Sequence, residues 1–143
     1  MAAKGSPFKT DILKLIYNGA AVADLAENDA TSPATDLYLR LHTASPIGGD
    51  QSTNEIAYTG YAAKAVARTS AEWAVSAGAA TLVNAQSFPA MTGGAGGTVT
   101  HISVGTAATG AGYLIHVITL TTPKAIAAGD TPIVAAGTGV TED

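Results

Sequence analysis

From Leu37 onward the side chains of this chain alternate in character with a period of two. In the run LYLRLHT, Leu37, Leu39 and Leu41 fall on one side of an extended backbone, and Tyr38, Arg40 and His42 fall on the other. That pattern predicts an antiparallel strand with one face in a core and one in solvent. Further strands are expected near 62–68, 72–76, 79–85, 98–104, 112–120, 124–128 and 131–136, separated by SPIGGD, SAG, TGGAGG, ATGAG, AAGD and AAGTG, stretches whose glycine and proline content suits turns. Short strands at this spacing predict an all-β chain, an antiparallel β-sandwich of jelly-roll-like arrangement. Leu39 then points inward, so Leu39→Ala is expected to cost about 2–5 kcal/mol. Arg40, on the wet face, is expected to tolerate truncation.

The stretch TGGAGGTVTHISVG, Thr92 to Gly105, places four glycines within five residues. A phosphate loop needs its glycines to open a helix, whose free N–H groups hold the anion. Here a β-branched run follows, Val99 stands where the third glycine of G-x-G-x-x-G belongs, and G-K-[ST] occurs nowhere. The cluster is expected to be a hairpin turn whose glycines supply positive φ.

One segment has helical periodicity. In SPFKTDILKLIYNG, Ser6 and Pro7 suit the first turn, Phe8, Ile12, Leu15 and Ile16 form a stripe, and Asn18-Gly19 ends the helix. A helix this short is not stable alone, so its stripe must dock. The weakly periodic AAVADLAENDATSPAT that follows, broken at Ser32-Pro33, reads as a connecting arm able to carry the helix to a neighbouring subunit. The expected organisation is residues 1–36 as helix and arm and 37–143 as the β-sandwich domain. Phe8, Ile12, Leu13 and Ile16 are the candidate partner contacts.

Composition narrows the function. The chain has 143 residues, the size of one domain. It has no cysteine, which excludes disulfides, thiolate catalysis and cysteine metal sites. Its 7 Lys and Arg are scattered and the net charge is −4, so a nucleic-acid partner, which needs a clustered basic face, is not expected. Charged residues make up only 13%, against about 25% in an average soluble domain. Such a neutral surface suits a homo-oligomer packed among neighbours. No apolar run reaches the roughly 20 residues of a membrane helix, and MAAKGSPFKT lacks a signal peptide's apolar core; a soluble product that stays where it is made until assembly is expected.

No chemistry-bearing constellation emerges. His42, His101 and His116 have no metal-ligand spacing. Ala74 to Gly78, AVSAG, resembles a nucleophile elbow only loosely and meets a strand where a helix is required. The acidic Asp24, Glu27, Asp29 and Asp36 lack the alternation of a calcium loop. Tyr58 and Tyr61, with Trp73 and Tyr38, suit core edges better than a stacking platform. No catalytic, cofactor-binding or metal-ligating residue is assigned, and a non-enzyme without cofactors is expected.

The runs LYLRLHTASP, TNEIAYTGYAAKAVART and FPAMTGGAGG through VTED, spanning Leu37 to Asp143, resemble a family of small virion proteins of tailed bacteriophages. The most specific pieces are L-H-T-A-x-P, N-E-x-x-Y-T-G-Y, T-H-x-x-V/I-G-T-A and the terminal V-T-E-D. The resemblance implies a virion structural role, with synthesis in the host cytoplasm. Two locations follow from it. An amphipathic arm on a compact sandwich suits a capsid decoration or cement protein bound to the major capsid protein. A tail, tail-fibre or baseplate-associated part, with a receptor-binding role, is the alternative, although the chain has no heptads or collagen-like repeat for a shaft.

Overall fold

The computed structural model describes residues 6–21 and 34–142. The elements in chain order are α1 (Ser6–Asn18), β1 (Asp36–His42), β2 (Lys64–Ala67), β3 (Trp73–Ser76), β4 (Ala79–Leu82), β5 (Gln86–Ser87), β6 (Gly97–Gly105), β7 (Leu114–Ile126), β8 (Ile133–Val134) and β9 (Gly139–Thr141). Sheets run in the orders β2-β1-β6-β7, β3-β4-β9 and β5-β8. The pairs β1–β6, β3–β4, β4–β9, β5–β8 and β6–β7 are antiparallel. The chain is thus of the all-β sandwich class with one short N-terminal helix, as the alternation predicts. A jelly roll divides eight strands between two sheets, whereas the described residues form sheets of four, three and two strands. Contacts group residues 37–66 and 86–134 as one compact unit, and the described residues among 1–36, 67–85 and 135–143 as another.

In the first unit, β1 pairs with β6 so that Leu39 faces Val104 and Leu41 faces Ile102. These four side chains are buried, with Leu37, Ile56, Val99 and Ile126. The opposite face of β1 is not wet, contrary to the expectation for Arg40. Arg40 is 2% exposed and His42 is 0% exposed, because the chain folds back over that face immediately after the strand. The Thr43 N–H donates to the Asn54 carbonyl and the Ile56 N–H to the Leu41 carbonyl, both at 2.9 Å. Alternation showed that the two faces differ; it could not show that the polar one is covered.

The two strands expected at 112–120 and 124–128 are one strand with a slip in register. Val99 faces Lys124 and His101 faces Thr119, so residues 120–123 bulge against Thr100. Pro123, which cannot donate to a ladder, sits in that bulge on an outermost strand, where it is tolerated. The glycine cluster is not a hairpin turn. β5 pairs with β8 while β6 pairs with β1 and β7, so the run carries the chain from one sheet to another. It is tied down where Thr59 donates to the Gly93 carbonyl at 2.8 Å. Gly96 has φ +65°, and a Cβ there would collide with the Ile126 carbonyl.

In the second unit, Ala77 and Gly78 both have positive φ, 51° and 76°, giving β3 and β4 the mirror-image turn that matches strand twist. Helix α1 packs on these two strands. Leu13 and Tyr17 are fully buried, and the Tyr17 ring lies 4.6 Å from that of Trp73. Asn18 Nδ2 donates to the Trp73 carbonyl at 3.2 Å, and the Gly78 N–H donates to Thr10 Oγ1 at 2.8 Å. Gly19, at φ +63°, closes the helix in the left-handed conformation typical of C-termini. The Arg68 guanidinium donates to the Leu15 and Ile16 carbonyls at 2.6 Å each, a cation at the negative end of the helix dipole. The helix is therefore seated on strands of its own chain through Leu13 and Tyr17. Asp24, Glu27 and Asp29 and the Ser32-Pro33 break of the arm lie outside the described residues.

Truncating the helix residue at the centre of this contact should have a core-sized effect. Leu13→Ala is expected to lose about 2–5 kcal/mol of unfolding free energy, whereas Phe8→Ala, at a position 41% exposed, should change it by less than about 1 kcal/mol. Denaturant titration of both variants checks the contrast.

Candidate functional site

The polar residues of the first unit converge at β1. The loop between β1 and β2 opens with a local hydrogen-bonded turn, in which the Ser52 N–H and hydroxyl donate to Asp50 Oδ1 at 2.8 and 2.6 Å. Those bonds, led by the Ser52 hydroxyl, hold the Asp50 carboxyl below its ordinary range. Asn54 takes φ +56°, which Asn accepts more readily than most residues, and its side chain donates to the Ser45 carbonyl at 2.9 Å. The turn delivers Glu55 to Arg40, the Thr53 carbonyl to His42, and Gln51 to the β6–β7 hairpin.

Arg40 Nη1 donates to both carboxylate oxygens of Glu55 at 2.6–2.7 Å, and Nη2 donates to the Ala107 carbonyl at 2.8 Å. The Tyr61 hydroxyl donates to Glu55 Oε1 at 2.7 Å and accepts the Leu41 N–H at 3.1 Å. Burial first, and the adjacent carboxylate after it, raise the Tyr61 phenol far above its usual pKa, so it remains a donor. Arg40 Nε is buried without a partner.

Gln51 is 0% exposed and locks the hairpin between β6 and β7. Its Nε2 donates to the Ala107 and Gly110 carbonyls at 3.0 and 2.9 Å, and its Oε1 accepts the Ala107 N–H at 3.2 Å. A Cβ on Gly105 or Gly112 would strike this carboxamide, so both positions need glycine for space.

His42 Nδ1 lies 2.9 Å from the Thr53 carbonyl. A carbonyl only accepts, so Nδ1 carries the hydrogen and Nε2 accepts the Ser103 hydroxyl at 2.7 Å. This is the spacing of a nucleophile and its base. Both residues are 0% exposed, and no substrate carbonyl reaches them. Burial lowers the His42 pKa, against the opposing Thr53 hydrogen bond and Glu55 charge.

Above this buried layer lies a cleft of about 170 Å³, floored by Arg40, Glu55 and Tyr61 and walled by Ala62, Ala63 and the hairpin residues 108–110. Its two charges cancel, and its walls combine the methyl groups of Ala62, Ala63 and Ala108 with the polar Thr109 and the bare backbone of Gly110. Ile47 and Tyr113, on the two loops that Gln51 ties together, are 74% and 82% exposed. The cleft thus pairs one cation with one anion and is nearly neutral overall.

Among the sequence-derived candidates, Phe8 is exposed, Ile12 and Ile16 are half-buried, and Leu13 is buried within the chain and offers no surface to a partner. Tyr58 is a core residue, edge-on to Tyr61 at 5.2 Å and donating to the Pro89 carbonyl at 2.8 Å. Trp73 belongs to the other unit. His101 is held by Thr100 Oγ1 at 2.8 Å, and His116 faces Val104 across the ladder. Among the described residues no three His, Asp or Glu side chains are grouped to hold a metal ion, and no helix is long and apolar enough to cross a membrane. Gln51, Glu55 and Tyr113 were missed, since a lone Gln or Tyr in a loop carries no periodic signal; Glu55 stood within N-E-x-x-Y-T-G-Y.

A family model described as Podophage GP4 fiber I protein gp80 matches residues 15–141. No curated protein matches the chain.

Removing one partner of a buried ion pair strands the other, at about 3–5 kcal/mol. Arg40→Ala is therefore expected to destabilise at least as much as Leu39→Ala, read from denaturant midpoints. A second outcome concerns pH. With its folded-state pKa lowered from the ordinary 6.5, His42 binds fewer protons folded than unfolded below that value. Its contribution is present above about pH 6.5 and is lost as pH falls toward the folded pKa. The stability decline between about pH 7 and about pH 5 should be shallower in His42→Gln than in the native protein, measured by thermal melting at each pH.

Proposed function

Because the chain belongs to the family of the podophage GP4 fiber I protein gp80, and so is a tailed-phage virion structural protein, we propose that it serves in the tail-fibre apparatus as a non-catalytic part. The observation that carries this reading is the extent of the match: residues 15–141 include every strand, so the family's name bears on the whole β fold. It favours the fibre over the capsid-decoration reading, which rested on an arm free to reach a neighbour, and α1 is occupied with its own strands.

The geometry supports a contact role. The hydrogen-bonding groups around β1 are satisfied internally, apart from Arg40 Nε, and the Ser103–His42 pair is sealed. What the first unit offers outward is the neutral cleft with Ile47 and Tyr113 on rigid loops, a surface suited to another virion protein or a host receptor. Phe8, with the half-exposed Ile12 and Ile16, is a further contact to a virion neighbour.

Antibody labelling of intact particles tests the location. Label on fibres at the tail is the expected result, and label distributed over the head overturns the fibre reading in favour of capsid decoration. Purified protein should show no ester, peptide or glycan turnover; turnover abolished by His42→Gln would overturn the non-catalytic reading.

A further inference from the structure

The run Tyr113 to Leu120, YLIHVITL, is the longest strongly apolar stretch of the β region, yet none of it is buried. No residue from 106 to 125 is buried, while the facing β6 residues Ile102 and Val104 are core. The reason is position: β7 is the last strand of its sheet, and among the described residues no strand lies beyond it. An exposed, apolar outermost strand is a template for pairing, and proteins that keep one in solvent guard it with lysines, prolines or bulges. Here Pro123, Lys124 and the bulge at 120–123 all sit at the C-terminal end of the strand. Residues 114–119 carry no lysine or proline; their one irregularity is a second slip in register, between Val104 and Gly105, which leaves Ile115 without a partner on β6.

We propose that the outer edge of β7 over residues 114–119 is a self-association surface, pairing antiparallel with the same segment of a second copy of this chain. Antiparallel pairing about a two-fold axis presents an edge to itself, so each backbone donor meets an acceptor of the identical strand. The charge pattern favours a second copy. From Thr106 to Pro123 there is no Asp, Glu, Lys or Arg, so self-pairing sets no like charges opposite one another. In a register centred on Val117, Lys124 falls opposite uncharged Gly110. A charged partner would find nothing here to pair with. Two-fold pairing uses the outer edge of β7 in both copies, so the association closes as a dimer and does not extend.

The proposal goes beyond the fibre reading and is tested on purified full-length protein, where location in the virion has no influence on the outcome. Sedimentation velocity across the micromolar range should show a monomer–dimer equilibrium, with residues 114–119 protected from amide exchange in the dimer. About Val117, Ile115 lies opposite Thr119 of the second copy. Ile115→Lys with Thr119→Lys should weaken association by about tenfold or more, and mixing this protein with one carrying Ile115→Glu and Thr119→Glu should restore it as a heterodimer. Restoration by mixing also shows that each variant is folded. A native protein that stays monomeric throughout, or a lysine variant that associates as tightly as the native chain, overturns the proposal.

Discussion

The burial of Arg40 is the constraint around which the first unit is arranged. A guanidinium taken from water must be met by an opposite charge and by acceptors for its remaining hydrogens, or the fold loses more than the surrounding hydrophobic contacts supply. The chain meets most of that demand from three directions, leaving only Nε without a partner: Glu55 from the loop after β1, Ala107 from the β6–β7 hairpin, and Tyr61 to hold the carboxylate in place. Each of those groups fixes a segment that has no secondary structure of its own. The polar layer thus organises the loops, while the leucines on the other face of β1 build the core.

The sequence patterns that most resemble phage virion proteins meet in that layer. L-H-T-A-x-P supplies His42, N-E-x-x-Y-T-G-Y supplies Glu55 and Tyr61, and the T-H-x-x-V/I-G-T-A strand supplies Gly105 and Ala107. Glu55, Tyr61 and Ala107 join Arg40 and Gln51 in one hydrogen-bonded network, His42 forms a second with Thr53 and Ser103, and Gly105 leaves space for Gln51. Their physical role is to hold loops, and the outward surface is carried by other residues, Ile47 and Tyr113.

Much of the fold was readable because period two is a property of extended backbone. The strands at β1, β3, β4 and β6 and the helix fall close to where periodicity puts them. The rest needed information that periodicity lacks. A two-residue β5 and a three-residue β9 are too short to alternate. The helix carries apolar side chains at Phe8, Ile12, Leu13, Leu15, Ile16 and Tyr17, nearly all round, so several stripes fit and the seated pair, Leu13 and Tyr17, is decided by Trp73. The glycine run was correctly assigned to a backbone role, but which strands it connects depends on pairings between distant segments. The candidate site was least legible, because the polar face of β1 reads as a solvated face until the loop that covers it is in place.

The lock formed by Gln51 between Gly105 and Gly112 bears on how this protein can change over time. Enlarging either glycine displaces the carboxamide, and altering the carboxamide frees the carbonyls it satisfies, so these positions can vary only together. Ile47 and Tyr113 stand a few residues away with side chains almost wholly in solvent. Mutational drift is therefore steered to the loop tips, where new contact chemistry can be sampled while the loop bases stay fixed.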